Sequence, residues 1–361
     1  MEDYITNEDT IIFSSEFNKP LNPSILINYK KIIFSDYELS KSLFDTYSNN
    51  NFTNEKWIGS KFNLPLSNSL NGLINLVHIN FGFHFNHPLS NSLNGLINLT
   101  YINFHYDFNH PLLNSLDRLI NLTHINFGCC FNYPLSNSLN KLINLVHINF
   151  GNHFNHPLLN SLDGLINLTH IKFGYSFNHP LSNSLNGLIN LTHINFGFNF
   201  NQSLSNSLDK LINLTHINFG YRFNCPLLNS LNELINLVHI NLGYKFNKKL
   251  DILHNIKSIK LDCNNQYIIN NLPNSIEVLE FGCRFNLELN DLPSSIKKII
   301  FHKYSDYNKP LNNLPRGVEL LVLPYEYNIQ IINIPKELKK IICCKYYESI
   351  DDFSTFIVET Y

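Results

Sequence analysis

The sequence has little charge of either sign. Only 15% of its 361 residues are Asp, Glu, Lys or Arg, whereas about 25% is typical of a soluble domain. Hydrophobic residues make up 44%, so the chain has enough apolar side chains for a large core and does not have the composition of a disordered protein. The formal net charge of -2 argues against the strongly basic surface of a general nucleic-acid binder. We therefore expect no nucleic-acid partner.

Signals for secretion and for membrane insertion are also lacking. The segment from Met1 to Thr10 is acidic and polar, and no apolar run reaches the roughly 18 residues of a membrane span. The seven cysteines form an odd set without paired metal-ligand spacing or a regular disulfide framework. These absences predict an intracellular protein of a reducing compartment, the cytoplasm, with no membrane partner.

Catalytic signatures are missing as well. The sequence contains no GxSxG, P-loop, HExxH or GxGxxG pattern, and its histidines have no cysteine, serine or acidic partner at a fixed spacing. Catalysis also needs one singular site, whereas nearly every candidate residue here belongs to a series. We predict a protein that is not an enzyme and that has no cofactor.

What the sequence does have is a repeat. Phe-Asn pairs recur every 23 residues without exception, and a fixed period of this length indicates a solenoid. The pairs begin at Phe62, Phe85, Phe108, Phe131, Phe154, Phe177, Phe200, Phe223 and Phe246. A degenerate early copy reads FNKPL from Phe17 to Leu21, and the period shortens after residue 250.

Each unit contains one short strand and one return arc. In the unit from Phe177 to Asn199 the apolar positions follow L-x-x-L-x-x-I-x-F, whose last alternation predicts a strand from His193 to Phe196 with Ile194 and Phe196 in the core. The segment from Pro180 to Asn186 is rich in Pro, Ser and Asn and must form the return arc. Because one unit cannot bury its apolar edge alone, neighbouring units must stack and pair their strands in parallel. A further strand is predicted at Lys31 to Phe34, and a loop at Ser48 to Asn54.

The pattern resembles two related families. The L-x-x-L-x-x-I-x-F core is similar to a leucine-rich repeat of 23 residues, and F-G-x-x-F-N-x-P-L resembles the FNIP repeat of social amoebae and of giant viruses that infect amoebae. The resemblance implies an α/β-type solenoid: a right-handed, leucine-rich-repeat-like coil with one continuous parallel β-sheet on its concave face and return arcs that are mostly irregular or short helices. If the protein is viral, its expected compartment is the host cytoplasm.

The asparagines of the Phe-Asn pairs depart from the usual leucine-rich pattern, which places this residue two positions earlier. We predict that they form a ladder that hydrogen-bonds the backbone amides of the turns, because a short side chain with donor and acceptor is needed there. The predicted ladder comprises Asn86, Asn109, Asn132, Asn155, Asn178, Asn201, Asn224 and Asn247.

Four segments are expected along the chain. Residues 1–60 form an N-terminal cap with degenerate repeats, 61–250 the regular 23-residue repeats, 251–345 shorter degenerate repeats that contain Leu-Pro, and 346–361 a C-terminal cap or tail. Ile300, Leu320, Val322 and Ile342 would form an outward apolar patch, which needs a cover or a partner. The tail, with Phe353, Phe356, Ile357 and Val358, is the expected cover; recruitment of a partner is the alternative.

Stacking turns repeated outward residues into columns on the sheet face. One column consists of His78, Tyr101, His124, His147, His170, His193, His216 and His239. A second consists of Asn80, Asn103, Asn126, Asn149, Lys172, Asn195, Asn218 and Asn241. The functional interpretation is a docking surface for an extended partner; the alternative is that recent duplication copied these residues.

The histidine column also carries two narrower expectations. No acid or cysteine recurs beside it, so we predict no metal site. Charged neighbours would repel, so the pKa values of the histidines should lie below 6.5 in the folded chain.

Variable residues just after each strand form a rim, in which aromatic side chains are frequent. We predict that this rim determines partner specificity, although an exposed turn also tolerates variation without any function. The predicted partner-binding residues are Tyr106, Tyr175, Phe198, Tyr221, Arg222 and Tyr244 on the rim, with His124, His147, His170, His193, His216 and Lys172 on the face.

The sequence therefore favours a monomeric, non-catalytic scaffold for protein–protein interaction. The family resemblance adds an alternative, a substrate adaptor of a ubiquitin ligase, although the segment from Asn7 to Asn50 has no clear F-box pattern. A structural or self-associating viral protein is a third possibility, which low net charge and exposed sheet ends favour.

Overall fold

The computed structural model describes residues 2–52, 55–250 and 255–361. They fall into two compact units, residues 1–191 and 192–361. Met1, Thr53 and Asn54 of the predicted loop, and the segment 251–254 at the expected change of period, lie outside the described residues.

The described residues of the first unit form eight strands and two short helices. They are β1 (Tyr4–Thr6), β2 (Thr10–Phe13), α1 (Pro23–Leu26), β3 (Lys31–Phe34), α2 (Leu43–Asn49), β4 (His78–Asn80), β5 (Tyr101–Asn103), β6 (His124–Asn126), β7 (His147–Asn149) and β8 (His170–Lys172). Strands β2 to β8 pair in parallel, each with the next, and β1 pairs with β2 in antiparallel orientation.

In the second unit, residues 192–250 and 255–361 form nine strands. They are β9 (His193–Asn195), β10 (His216–Asn218), β11 (His239–Leu242), β12 (Ser258–Leu261), β13 (Val278–Phe281), β14 (Lys298–Phe301), β15 (Leu320–Val322), β16 (Lys340–Cys343) and β17 (Ile357–Thr360). Helix α3 (Gln266–Asn270) and two 3₁₀ turns (Leu228–Leu231 and Ile350–Phe353) lie between them. All nine strands pair in parallel in chain order.

Both units confirm the predicted leucine-rich-repeat-like solenoid with a parallel sheet and mostly irregular return arcs. Equivalent residues of neighbouring 23-residue repeats pair with each other in the sheet: Ile102 pairs with Ile125, and Ile217 pairs with Ile240. The strand at Lys31–Phe34 is confirmed. The predicted strand His193 to Phe196 is one residue too long, since β9 ends at Asn195, but Phe196 still points into the core and is 2% exposed.

The core is a regular stack of phenylalanine and leucine side chains. The Phe-Asn phenylalanines are buried, and Phe131 and Phe154 stack with ring centroids 6.0 Å apart. In the second unit tyrosines continue this role, as Phe285 stacks on Tyr307 at 6.1 Å. Phe17 of the degenerate early copy belongs to the same stack and lies 6.1 Å from Phe62.

Helix α2 covers the first strands and corrects one expectation. Ser48 and Asn49, expected in a loop, are the last residues of this helix. The helix contributes Leu43, which packs with Ile12 and Ile33 in one buried cluster. The outward apolar side chains of β2 and β3 are therefore shielded by this segment of the chain.

The C-terminal tail does not lie across the outward apolar patch. Strand β17 instead pairs with β16, with Ile341 beside Val358, and so extends the sheet by one strand. Phe353 is buried next to Tyr347, with ring centroids 6.2 Å apart. Ile357 remains 62% exposed. The expected cover over Ile300 and its neighbours is thus wrong, because the tail satisfies the backbone groups of a sheet edge.

Candidate functional site

The histidines of the sheet face form stacked columns, as predicted. In the first unit the ring of His78 lies 4.2 Å from that of Tyr101, His124 lies 4.4 Å from His147, and His147 lies 4.2 Å from His170. In the second unit His193 lies 4.3 Å from His216, which lies 5.4 Å from His239. All of these rings are partly buried by their neighbours.

Hydrogen bonds fix the orientation of several rings. Thr123 Oγ1 lies 2.8 Å from His124 Nδ1, and Thr215 Oγ1 lies 2.9 Å from His216 Nδ1. Thr123 and Thr215 also donate to backbone carbonyls of the preceding repeat. The face therefore presents imidazoles in fixed orientations.

The pKa values of five histidines of the column, His78, His124, His147, His216 and His239, shift in the predicted direction, but for a different main reason. Burial lowers the pKa of His78 to about 4, and the charge of Lys31 adds to the shift. Burial also lowers the pKa of His239 to about 4, with His216 and Lys260 adding to it. For His124 burial comes first and the charge of His147 second. Desolvation in the stack thus outweighs the repulsion between neighbours.

We expect the protein to lose thermal stability in mild acid. Unfolded histidine has a pKa of about 6.5, so between about pH 4 and 6.5 the unfolded chain binds more protons than the folded chain. The free energy of unfolding should fall as pH falls through this window. Melting temperatures at pH 7.5 and 5.0 test this, and substituting His78→Gln with His239→Gln should reduce the difference. Equal melting temperatures of the unsubstituted protein at both pH values would contradict the expectation.

The second column of the face also forms side-chain hydrogen bonds. Asn103 Nδ2 donates to Asn80 Oδ1 at 2.8 Å, and Asn126 Nδ2 donates to the Tyr101 hydroxyl at 2.9 Å. Lys172 on β8 is exposed and lies two residues after His170, on the same face of the strand. The second column, as described in strands β4 to β11, therefore consists of uncharged amides and one cation, Lys172.

The predicted asparagine ladder is confirmed within each unit. Asn132 Oδ1 accepts from the backbone N–H of Asn155 at 2.9 Å, and the same contact recurs from Asn224 to Asn247 at 3.0 Å. It begins at Asn18, which accepts from Asn63 N–H at 3.0 Å. The ladder fixes the turns that follow the rim.

The rim aromatics are held by stacking. In the first unit Tyr106 stacks on Phe83 at 4.5 Å, while Tyr175 stands three repeats away and is 49% exposed. In the second unit Phe198, Tyr221 and Tyr244 form one stack, with centroid distances of 4.6 Å and 5.0 Å. The Arg222 guanidinium lies over Phe198 at 5.9 Å. The structure thus brings four of the six predicted rim residues together.

A second asparagine ladder and a groove were missed by the sequence analysis. In the Leu-Ile-Asn-Leu segment Asn121 Nδ2 donates to the carbonyl of Ile97 at 2.9 Å, and Asn144 does the same to Ile120. Beside this ladder runs a groove of about 790 Å³ in the first unit. It is lined by Lys30, Asn75, Val77, Asn98, Thr100, Asn121, Thr123, Asn144, Val146, Asn167 and Thr169. The signal was the 23-residue recurrence of this asparagine.

Within residues 2–52, 55–250 and 255–361, no three His, Cys, Asp or Glu side chains lie together so that they could hold a metal ion. In the same residues no helix is both long and apolar enough to pass through a bilayer.

Comparison with known families supports the repeat assignment. Residues 246–284 match the model of the FNIP Repeat. This segment of the chain is an FNIP repeat. Among curated proteins none matches the sequence significantly. The chain has a leucine-rich-repeat-like fold.

Solved structures show the same fold. CroV588, described as a circular LRR protein and coming from the giant virus CroV, is 24% identical with a TM-score of 0.53 over 95% of this chain and 61% of its own. A chain of the Toll–Spätzle complex of Drosophila is 13% identical with a TM-score of 0.55, over 94% of this chain and 50% of that one. TLR13 in complex with ssRNA13 is 14% identical with a TM-score of 0.58, over 81% and 48%. The chain spans about half to three fifths of the length of these proteins.

Proposed function

We propose that the chain is a non-catalytic scaffold that binds a protein partner through its outward sheet face and its rim. The proposed binding residues are Tyr106, Tyr175, Phe198, Tyr221, Arg222 and Tyr244 on the rim, with His124, His147, His170, His193, His216 and Lys172 on the face. The proposed partner is a protein, and the chain acts as a monomer. All seven cysteines are unpaired, which supports a reducing compartment such as the cytoplasm, or the host cytoplasm for a viral protein.

The aromatic stack on the rim carries this proposal. Phe198 and Tyr221 lie parallel within 3°, with centroids 4.6 Å apart. Rings that are already held in place lose little conformational entropy when a partner binds, and aromatic side chains are enriched at interface hot spots. A core of repeated leucine and phenylalanine does not require aromatic residues in these turns, so their presence there supports a role outside folding.

The polar face supports the same function. Its imidazoles and amides have fixed orientations, and burial keeps the His78 and His239 rings neutral near pH 7. Neutral imidazole offers one donor and one acceptor. Such a face suits hydrogen bonding to a protein surface more than contact with phosphate groups, for which positive charge dominates affinity.

Substitution of the rim aromatics tests the proposal. The variant changes Tyr175, Phe198, Tyr221 and Tyr244 to alanine, and both proteins are used to capture partners from amoebal lysate. Binding of each captured protein is then measured after purification. We expect at least a tenfold loss of affinity in the variant, because truncation of a single hot-spot residue costs about 2 kcal/mol or more.

The control removes four apolar side chains from the same four repeats. Ile166, Ile189, Ile212 and Ile235 are each at least 50% exposed and precede the strands, whereas the rim follows them. Their replacement by alanine should leave partner affinity within about twofold. Equal recovery of partners by the rim variant and this control, with both folded by circular dichroism, would overturn the proposal.

A further inference from the structure

Positive charge collects in the turns that follow the strands of the second unit. These turns carry five cations, here called the cationic rim: Arg222, Lys245, Arg284, Lys303 and Lys345. Asp262 and Glu326 stand in the two turns between them that have no cation. The equivalent turns of the first unit, residues 81–84, 104–107, 127–130, 150–153 and 173–176, contain no lysine or arginine. A chain with almost no net charge thus has a local excess of cations on one edge.

The cations of this rim form cation–π contacts with aromatic rings. The Arg284 guanidinium lies 5.1 Å from the Tyr244 ring centroid, and its Nη1 donates to the Tyr221 hydroxyl at 3.3 Å. Lys245 Nζ lies 5.1 Å from the Tyr244 centroid. Lys303 Nζ lies 4.6 Å from the ring of Tyr361, and Lys345 Nζ lies 4.8 Å from that of Tyr346. Cation–π contacts of this kind fix a charge in place but do not neutralise it.

The two edges of the same sheet differ in their ion pairing. Lys257, Lys297 and Lys339 precede their strands and form ion pairs with Glu277 or Glu319 at 2.7–3.6 Å. Among residues 192–250 and 255–361, by contrast, no carboxylate lies within 4.0 Å of a cation of the cationic rim. These charges therefore remain available to an external anion.

The ring geometry favours a peptide over a nucleic acid. Phe198, Tyr221 and Tyr244 stack on one another, with interplanar angles of 3° and 21°, so their inner faces are occupied. What they present is ring edges, which carry partial positive charge, and tyrosine hydroxyls. Binding of single-stranded nucleic acid uses open aromatic faces on which bases stack. Carboxylates, in contrast, can bind between ring edges and cations.

We propose that the cationic rim docks an extended acidic segment of a protein partner. The proposal rests on the scaffold function above and names the chemistry of its ligand. Six strand-to-strand steps separate β10 from β16, or about 29 Å at ~4.8 Å a step. An extended peptide of about nine residues spans this distance, at ~3.3 Å per residue. A segment with alternating Asp or Glu would place its carboxylates opposite the five cations.

The test uses a fluorescein-labelled 12-residue peptide of alternating Glu and Ser, and the same peptide with Gln in place of Glu, in fluorescence anisotropy with the full chain. The variant Lys245→Gln, Lys303→Gln and Lys345→Gln is compared with the matched variant Lys257→Gln, Lys297→Gln and Lys339→Gln, which removes the same charge from the opposite edge. We expect the acidic peptide alone to bind, more weakly at higher salt, with about a tenfold loss in the first variant and less than a twofold loss in the second.

Other outcomes overturn the proposal. Equal losses of affinity in the two variants would do so, as would equal binding of the two peptides. The third such outcome is that the acidic peptide does not bind, whereas a 12-nucleotide single-stranded RNA or phosphatidylserine vesicles bind and the first variant weakens that binding. Absence of binding to all four probes also overturns it. The aromatic rim variant described above distinguishes failure of the scaffold function from failure of the acidic-ligand proposal. If that variant still loses its captured partner, the scaffold function stands and only the acidic chemistry is wrong.

Discussion

Replacing Gly151 with alanine is expected to destabilise the first unit by about 3 kcal/mol or more. A Cβ atom at this position would overlap the backbone carbonyl oxygen of Gly128 in the preceding turn. Backbone cannot rotate away as a flexible side chain can, so the two turns must separate and the neighbouring strand pairing must shift. Unfolding in urea, followed by circular dichroism, should show a lower midpoint.

Gly187 provides the matched control for this substitution. It lies in a return arc of the same unit, and the nearest atom to an added Cβ is the Gly164 nitrogen at 4.0 Å. Alanine there should be neutral or stabilise by about 0.4–1 kcal/mol, since it restricts the unfolded chain. Similar midpoints for the two variants would show that the turns are not in close backbone contact.

Replacing Leu158 with alanine is expected to lower the free energy of unfolding by about 2–5 kcal/mol. Its side chain is 0% exposed and packs inside the solenoid. Removal of three heavy atoms leaves a cavity that the rigid stack of repeats cannot close. Hydrogen exchange should reveal the loss first in the neighbouring repeats, because stability in a repeat array is a sum of local terms.

Leu159 is the neighbouring control. It is 73% exposed and has a φ of 47°, in the left-handed region. Leu159→Ala should change stability by less than about 0.5 kcal/mol. Leu159→Asn should stabilise, because asparagine adopts this backbone conformation at lower cost. If Leu158→Ala proves as mild as Leu159→Ala, the described core packing is wrong.

The repeated features could be predicted because each copy carries the same information. The 23-residue period gave the inward positions of Ile194 and Phe196, the outward histidine column and the Asn132 ladder. Apolar alternation and spacing are local properties, and in-register stacking converts them directly into columns. Where the period shortens, the register shortens with it: His239 pairs with Ser258, 19 residues later.

Singular segments could not be predicted in the same way. Helix α2 occurs once, and its placement over Ile12 and Ile33 depends on contacts between residues far apart in sequence. The tail was expected to cover an apolar face, yet β17 continues the sheet. For one apolar segment, pairing with an edge and covering a face have the same sequence pattern.

The rim also combines features that the sequence predicts with features that depend on non-local contacts. Aromatic residues in these turns were visible in the sequence. The contact of the Arg284 guanidinium with the Tyr244 ring, however, joins residues 40 positions apart, across an intervening repeat of different length. Likewise, repulsion between histidines follows from their spacing, whereas desolvation depends on how deeply the rings are packed, as for His78.

By itself the sequence determined the solenoid, the register of its strands and which side chains face outward, because a strict period leaves one way to stack identical units. The tertiary structure alone decided how the first strands are shielded, how the last sheet edge is completed and which cations remain unpaired. Those outcomes depend on the relative free energies of competing non-local contacts, which no local pattern records.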